Sequence, residues 1–282
     1  MITCNLMGGL GNQIFQIFAT IAYGIKSRNQ FKFLALESLG TGTTTVRYTF
    51  WKTFFANLQT FLTVDLPPMQ AIKEKGFPYT ELPVSEMQNK NIMLHGYFQS
   101  YKYFANYYTL ICKIIGLDKM KETLLTKLNL DIINNFENII SMHFRLGDYK
   151  KASDFHPIAT YEYYEEALSY IKDNNPSKTF TILYFCEDED IEDVSLKINK
   201  LSTKFSQFTF KRGENTLADW EQMLLMSCCH HNIIANSSFS WWGAYFNSTS
   251  DKIVCYPSVW FGEKANIDTR DLCPPNWVKI NI

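Results

Sequence analysis

The seven residues His143-Phe144-Arg145-Leu146-Gly147-Asp148-Tyr149 bring an imidazole, a guanidinium and a carboxylate to one short segment, directly after the apolar run Asn138-Ile139-Ile140-Ser141-Met142. A guanidinium is a permanent cation whose planar fork of donors matches phosphate oxygens. Histidine and aspartate are the usual carriers of protons. A loop with all three suits gripping an anionic leaving group while activating a nucleophile beside it. The plainer alternative is an Arg145–Asp148 ion pair with His143 in the core. The position after a strand favours chemistry, because open α/β sheets bind ligands at the carboxyl ends of their strands.

Three other stretches carry comparable chemistry. Gly8-Gly9-Leu10-Gly11-Asn12-Gln13 stands where a strand enters a helix, so its backbone suits close approach to an anion. It is neither a Rossmann fingerprint nor a P-loop, since the glycine spacing differs and no Lys-Ser/Thr follows. In Cys186-Glu187-Asp188-Glu189-Asp190, the pair Asp188 and Asp190 could ligate a divalent ion on a nucleotide diphosphate. Equally, these acids could complement a helix dipole, or one could hydrogen-bond a base or ribose. Asn236-Ser237-Ser238-Phe239-Ser240-Trp241-Trp242-Gly243-Ala244 places hydroxyls at a helix start, a phosphate cradle or a plain serine cap, with the tryptophans in the core. Adjacent His230 and His231 diverge too much for a metal pair and read as a helix end.

These residues need strands to deliver them and helices to return the chain. Alternation over residues 2–6 predicts a strand, and Ile14, Ile17, Phe18, Ile21, Ala22 and Ile25 predict the helix after it. A strand is expected at 31–36 and a short aromatic helix at 50–62. Thr41-Gly42-Thr43-Thr44-Thr45 and Pro67-Pro68 break the pattern between. A strand at 91–94 leads into His95-Gly96-Tyr97-Phe98-Gln99-Ser100, and 101–135 reads as mainly helical. Beyond that, strands at 139–144, 179–186, 208–210, 232–235 and 252–256 alternate with helices at 161–171, 190–201, 217–229 and 239–246. For the third of these helices Thr216 is the expected N-cap, with Asp219 three residues on. The pattern predicts two α/β halves with mostly parallel sheets, 1–135 and 136–282.

Composition narrows the ligand. A hydrophobic fraction of 46% and an aromatic fraction of 16% fit a packed core and exclude disorder. With net charge −1, no global field recruits nucleic acid or an acidic membrane, so an anion must be held by local cations. The arginines are Arg28, Arg47, Arg145, Arg212 and Arg270. Seven cysteines without a Cys-x-x-Cys pair read as reduced thiols of a cytoplasmic protein and give no zinc site. The N-terminus reads as a strand, not a signal peptide, and no apolar run is long enough for a membrane span. Glycosylation patterns at Asn236 and Asn247 are therefore expected to be chance matches.

Taken together, the chain resembles the α-1,2-fucosyltransferases within the GDP-fucose-dependent fucosyltransferase superfamily. The resemblance rests on Gly8 through Gln13, Gly96-Tyr97-Phe98-Gln99-Ser100, His143-x-Arg145-x-Gly147-Asp148-Tyr149, Phe185-Cys186-Glu187-Asp188, and His231-Asn232-x-Ile234-Ala235-Asn236 continuing through Ala244. It implies a GT-B-type fold of two facing Rossmann-like domains, the N-terminal one on the acceptor side and the C-terminal one holding the donor. It implies inverting transfer of L-fucose from GDP-β-L-fucose to a sugar hydroxyl, usually the 2-OH of galactose, with no metal or other cofactor.

The roles carried over are these. Arg145 binds the β-phosphate and neutralises the departing diphosphate, as a metal does elsewhere. His143 lies against the nucleotide. Ser237, Ser238, Phe239 and Ser240 add phosphate donors, while Gly11 and Asn12 close over the pyrophosphate. Glu187, Asp188 or Asp219 reads ribose or guanine. Asp148 is the candidate base, or instead orients Arg145. Many relatives carry a second Arg where this chain has Leu146. Two alternatives stay open: a metal-dependent glycosyltransferase using Asp188 and Asp190, and a non-catalytic nucleotide- or sugar-binding protein. The expected partners are GDP-fucose and a galactose-containing glycan, with peripheral contact to a membrane left open.

Overall fold

The computed structural model describes residues 1–40, 46–84, 89–128 and 136–281. They form two compact units, 1–119 with 268–274 and 120–267 with 275–282. The division expected at residue 135, the break at 41–45 and the end of the helical stretch expected to reach 135 lie outside the described residues.

In the first unit, β1 (Ile2–Cys4) feeds α1 (Leu10–Lys26), with short strands β2 (Phe33–Leu34), β3 (Ser38–Leu39), β4 (Arg47–Tyr48) and β5 (Leu62–Thr63) following. β6 (Gln70–Lys73), β7 (Ile92–His95) and α2 (Tyr108–Ile115) complete it, and α3 (Leu117–Lys127) leads onward. The main sheet has the order β1-β7-β6 and is parallel throughout. α1 is buried along most of its length, so its polar side chains need partners inside. Gln16 bonds both the N–H and the carbonyl of Met7, and Thr20 donates to the Gln16 carbonyl at 2.7 Å.

The aromatic helix expected at 50–62 is a series of turns followed by a 3₁₀ helix, Ala56–Phe61. Its periodicity reported burial rather than α-helix: Trp51, Phe54, Phe55 and Leu58 are all in the core. The Leu58 N–H reaches the Phe55 carbonyl at 2.8 Å, the tighter i→i+3 pattern.

The second unit alternates β8 (Ile139–His143), α4 (Tyr161–Asp173), β9 (Thr181–Phe185), α5 (Ile191–Lys204), β10 (Thr209–Arg212), α6 (Asp219–Cys228), β11 (His231–Ile233) and α7 (Ser238–Tyr245). β12 (Val254–Pro257) and β13 (Val278–Ile280) close it. All six strands are parallel, in the order β10-β9-β8-β11-β12-β13. Counted from β8 this is 3-2-1-4-5-6, the doubly wound order, with its switch point between β8 and β11. The α/β class with mostly parallel sheets agrees with the sequence reading.

Helices on both faces bury β8 completely, which is why its sequence runs apolar instead of alternating. Polar groups on these strands are matched. Asn232 on β11 donates to Ser141 Oγ on β8 at 2.7 Å and to the Met226 carbonyl at 2.8 Å. α6 starts at Asp219, two residues later than expected, because Glu221 accepts the Ala218 N–H and Thr216 spends its hydroxyl on Glu214. Trp241 and Trp242 are both fully buried, the first stacked on Tyr245 and the second tilted against Phe246. The Asn236 and Asn247 amides are buried and donate to backbone carbonyls, so neither is presented for glycosylation. No helix among the described residues is long and apolar enough to cross a membrane.

α7 lies so close to α6 that a Cβ on Gly243 would stand 2.9 Å from Met226 Cβ and 3.4 Å from the Met223 carbonyl. Gly243→Ala is expected to destabilise the protein by about 1–3 kcal/mol despite alanine's higher helix propensity. Urea denaturation measures this, and an unchanged midpoint would mean the two helices part freely.

Candidate functional site

The switch point of the second unit is lined by the residues the sequence singled out. β8 ends at His143, and Arg145 follows in the loop beyond it. β11 ends at Ile233, and Ile234-Ala235-Asn236 leads to Ser237, the N-cap of α7. A hydrogen bond joins the two sides: the Tyr149 hydroxyl donates to the Asn236 carbonyl at 3.0 Å. The His143 ring lies 5.6 Å from that of Phe239, centre to centre. Diverging crossovers open a crevice at this place in a doubly wound sheet.

Arg145 is held by three groups. Its guanidinium donates to Asp148 Oδ1 at 2.5 Å and to Glu187 Oε1, and it lies 5.2 Å from the centre of the Tyr149 ring. Tyr149 in turn stacks on His156 at 4.8 Å. With Glu187 and Asp148 counted, this locus carries one net negative charge, so the guanidinium is neutralised before any ligand arrives.

The other residues singled out in this unit lie at the same edge of its sheet. Asp188 pairs with Arg212, which holds its carboxyl below the usual range. Asp190, buried at the start of α5, accepts the Gly147 N–H at 2.7 Å and pairs with Lys150 at 2.8 Å. Both carboxylates weighed as metal ligands are therefore committed to cations, and no group of three His, Cys, Asp or Glu among the described residues is arranged to hold a metal ion. Asp219 is the exposed first residue of α6. Ser237 accepts the Phe239 N–H, and Ser238 opens the helix. Ser240 is buried, its hydroxyl turned back to the carbonyls of Ala235 and Ser237. His230 faces Asp251 at 3.1 Å and His231 Nδ1 accepts the Ile253 N–H, while the two rings meet edge to face at 4.3 Å between centres; instead of diverging at a helix end, the pair packs together where His231 opens β11.

Gly11 and Asn12 belong to the first unit, where the two N-terminal motifs meet. The Gln99 side-chain amide donates to Asn12 Oδ1 at 2.8 Å. Glu74 Oε2 accepts the N–H groups of Tyr97 and Phe98, and Phe98 has φ +51°, a strained value for a bulky residue. Sequence reasoning passed over Glu74, since a lone acid after an exposed strand carries no local signal. It weighed Asp190 as a metal ligand, a helix-dipole partner or one of the acids that could meet a base or ribose, not as a partner of the Gly147 N–H.

A doubly wound α/β protein with an arginine and a helix start at its switch point belongs to the class built to take anionic ligands. The family model described as glycosyl transferase family 11 matches residues 47–281, and the chain belongs to that family. An Escherichia coli relative named alpha-1,2-colitosyltransferase is 26% identical over 99% of each chain. The Escherichia coli O-antigen biosynthesis glycosyltransferase WbnK is 31% identical over 72% of this chain and 65% of the relative. Among solved structures, an Arabidopsis thaliana FUT1 mutant in complex with GDP has a TM-score of 0.48 at 8% identity, over 90% of this chain and 69% of that one.

Burial and the nearby Arg145 charge push the His143 pKa from 6.5 down to about 3, so the ring is neutral in the folded protein at ordinary pH. Between those values the unfolded chain holds one more proton at this position than the folded chain. Stability is therefore level above the unfolded pKa and falls as pH drops below it. His143→Gln removes this dependence, while His231, also pushed down to about 3, keeps its own. The stability lost between pH about 7.5 and about 5.5 should be smaller by about 1.4 kcal/mol in the variant. Urea denaturation at both pH values measures the difference, and equal losses would mean the imidazole is solvated.

Proposed function

We propose that this glycosyltransferase moves L-fucose from GDP-β-L-fucose to a sugar hydroxyl, the 2-OH of a galactose in a glycan, with inversion at the anomeric carbon. The observation that carries the reading is the Arg145 guanidinium at the carboxyl end of β8, beside the start of α7. On this reading the two units are the acceptor and donor halves of a GT-B enzyme.

The chemistry follows from charge. As the bond from fucose to phosphate breaks, positive charge grows on the sugar and negative charge on the diphosphate. Arg145 stabilises the diphosphate, and N–H groups in the opening turn of α7 add to it. Two carboxylates already hold the guanidinium, so the diphosphate enters by replacing one of them. Glu187 is the one released, because it comes from a neighbouring loop, whereas Asp148 belongs to the same loop as Arg145. Once released it can accept from the ribose hydroxyls, with Asp188 and Asp219 further along the same edge toward the base. Asp148 shares the Arg145 loop and is the candidate to take the acceptor's proton, the alternative being that it orients the guanidinium and another acid or a water is the base.

Arg145→Ala is expected to lower turnover by at least about 100-fold, the scale of losing one preorganised charge donor. A folded variant with near-normal turnover would remove Arg145 from the mechanism. Transfer is expected to persist in EDTA, because Arg145 supplies the positive charge and the Asp188 and Asp190 carboxylates are occupied. Activity lost on chelation and restored by Mn²⁺ would favour the metal-dependent alternative.

A second reading is favoured by the relative that matches end to end: the sugar moved is colitose. Parallel assays with the two nucleotide sugars on galactosides, with NMR of the product, separate them. Binding of both without GDP release would point to a non-catalytic binding protein.

A further inference from the structure

Asp190 is 2% exposed, carries a carboxylate, and has no part in the transfer chemistry above. Burying such a group is strongly unfavourable unless its oxygens are matched. Here Oδ2 accepts the Gly147 N–H at 2.7 Å and Oδ1 pairs with Lys150 Nζ at 2.8 Å. Lys150 is itself steadied by Asp193 Oδ2 at 2.7 Å.

The place of the anchored amide matters. Gly147 lies between Arg145 and Asp148, and its φ of +31° is a conformation that L side chains rarely adopt. One loop, between β9 and α5, thus reaches the Arg145 loop at two points. Glu187 meets the guanidinium itself, and Asp190 meets the backbone two residues on. A diphosphate that displaces Glu187 leaves Asp190 as that loop's remaining hold on the segment.

We infer that Asp190, with Lys150, is a positioning residue that fixes the backbone between Arg145 and Asp148, so that the guanidinium keeps its aim when Glu187 lets go. This rests on the reading that Arg145 meets the donor's diphosphate. A misplacement of about 1 Å at a charge donor can cost about 100-fold in rate, so such a hold has catalytic weight without touching substrate.

The test is a double-mutant cycle on the full chain, reading turnover with GDP-fucose and GDP binding by calorimetry. Asp190→Ala is expected to lower turnover by about 10- to 100-fold and to weaken GDP binding. Lys150→Met, which spares the Gly147 bond, should produce a smaller loss, and Asp190→Asn, which keeps an acceptor for that amide, should rescue most of it. In an Arg145→Ala background each change should cost less than about 2-fold, because the residue it acts through is gone. Losses of equal size in both backgrounds would make Asp190 a general stabiliser and overturn the inference. So would a folded Asp190→Ala with normal turnover beside a strongly impaired Arg145→Ala. Should Asp190→Ala fail to fold, Lys150→Met carries the same cycle, and normal turnover in that variant would overturn the inference. Normal turnover in Arg145→Ala would overturn the donor reading and this inference with it.

Discussion

A guanidinium cannot shed its proton, so a chain that sets one at the end of a fully buried strand must neutralise it with neighbours. Arg145 obtains Asp148 from its own loop, Glu187 from the next βα loop, and the face of Tyr149. Each contact constrains the segment that supplies it. Tyr149 must turn toward Asn236, and the loop after β9 must pass close to the loop after β8. The local geometry of the switch point follows largely from solvating this one charge.

The sheet makes that arrangement affordable. Strands buried on both faces leave little room for unmatched polar groups, and the second unit matches those at its site end with phenols. Tyr163 donates to the carbonyls of Ile234 and Cys255, and Tyr164 to that of His143. These bonds tie α4 to the strand ends that carry the site. The first unit solves a similar problem with Glu74 and Gln99, which hold the Gly96–Ser100 turn and join it to Asn12.

Charge balance also bears on position 146. Leu146 is buried and belongs to the same hydrophobic core of the second unit as Phe144, Tyr164 and Ile182. Where the resemblance leads one to expect a second arginine, apolar contacts occupy the place. The positive charge at the end of β8 therefore falls to Arg145, and its alignment matters correspondingly more.

Much of this was legible in the sequence. Apolar runs within 139–144 and 232–235 marked buried strands, because a strand covered on both faces has no polar side to show. Spacing between motifs carried the α/β alternation, since each crossover needs a helix of fixed reach. Boundaries slipped where side chains compete for backbone groups, as when Glu221 rather than Asp219 closed the start of α6. The sequence by itself determined which residues stand at strand ends, that the core would be large, and that a permanent cation would sit beside acids. Only the tertiary structure decided which acid meets which cation. Asp188 went to Arg212, Glu187 to Arg145, and Asp190 to Gly147 and Lys150. These pairs join residues up to 43 positions apart, and sheet order, not local spacing, sets which loops become neighbours.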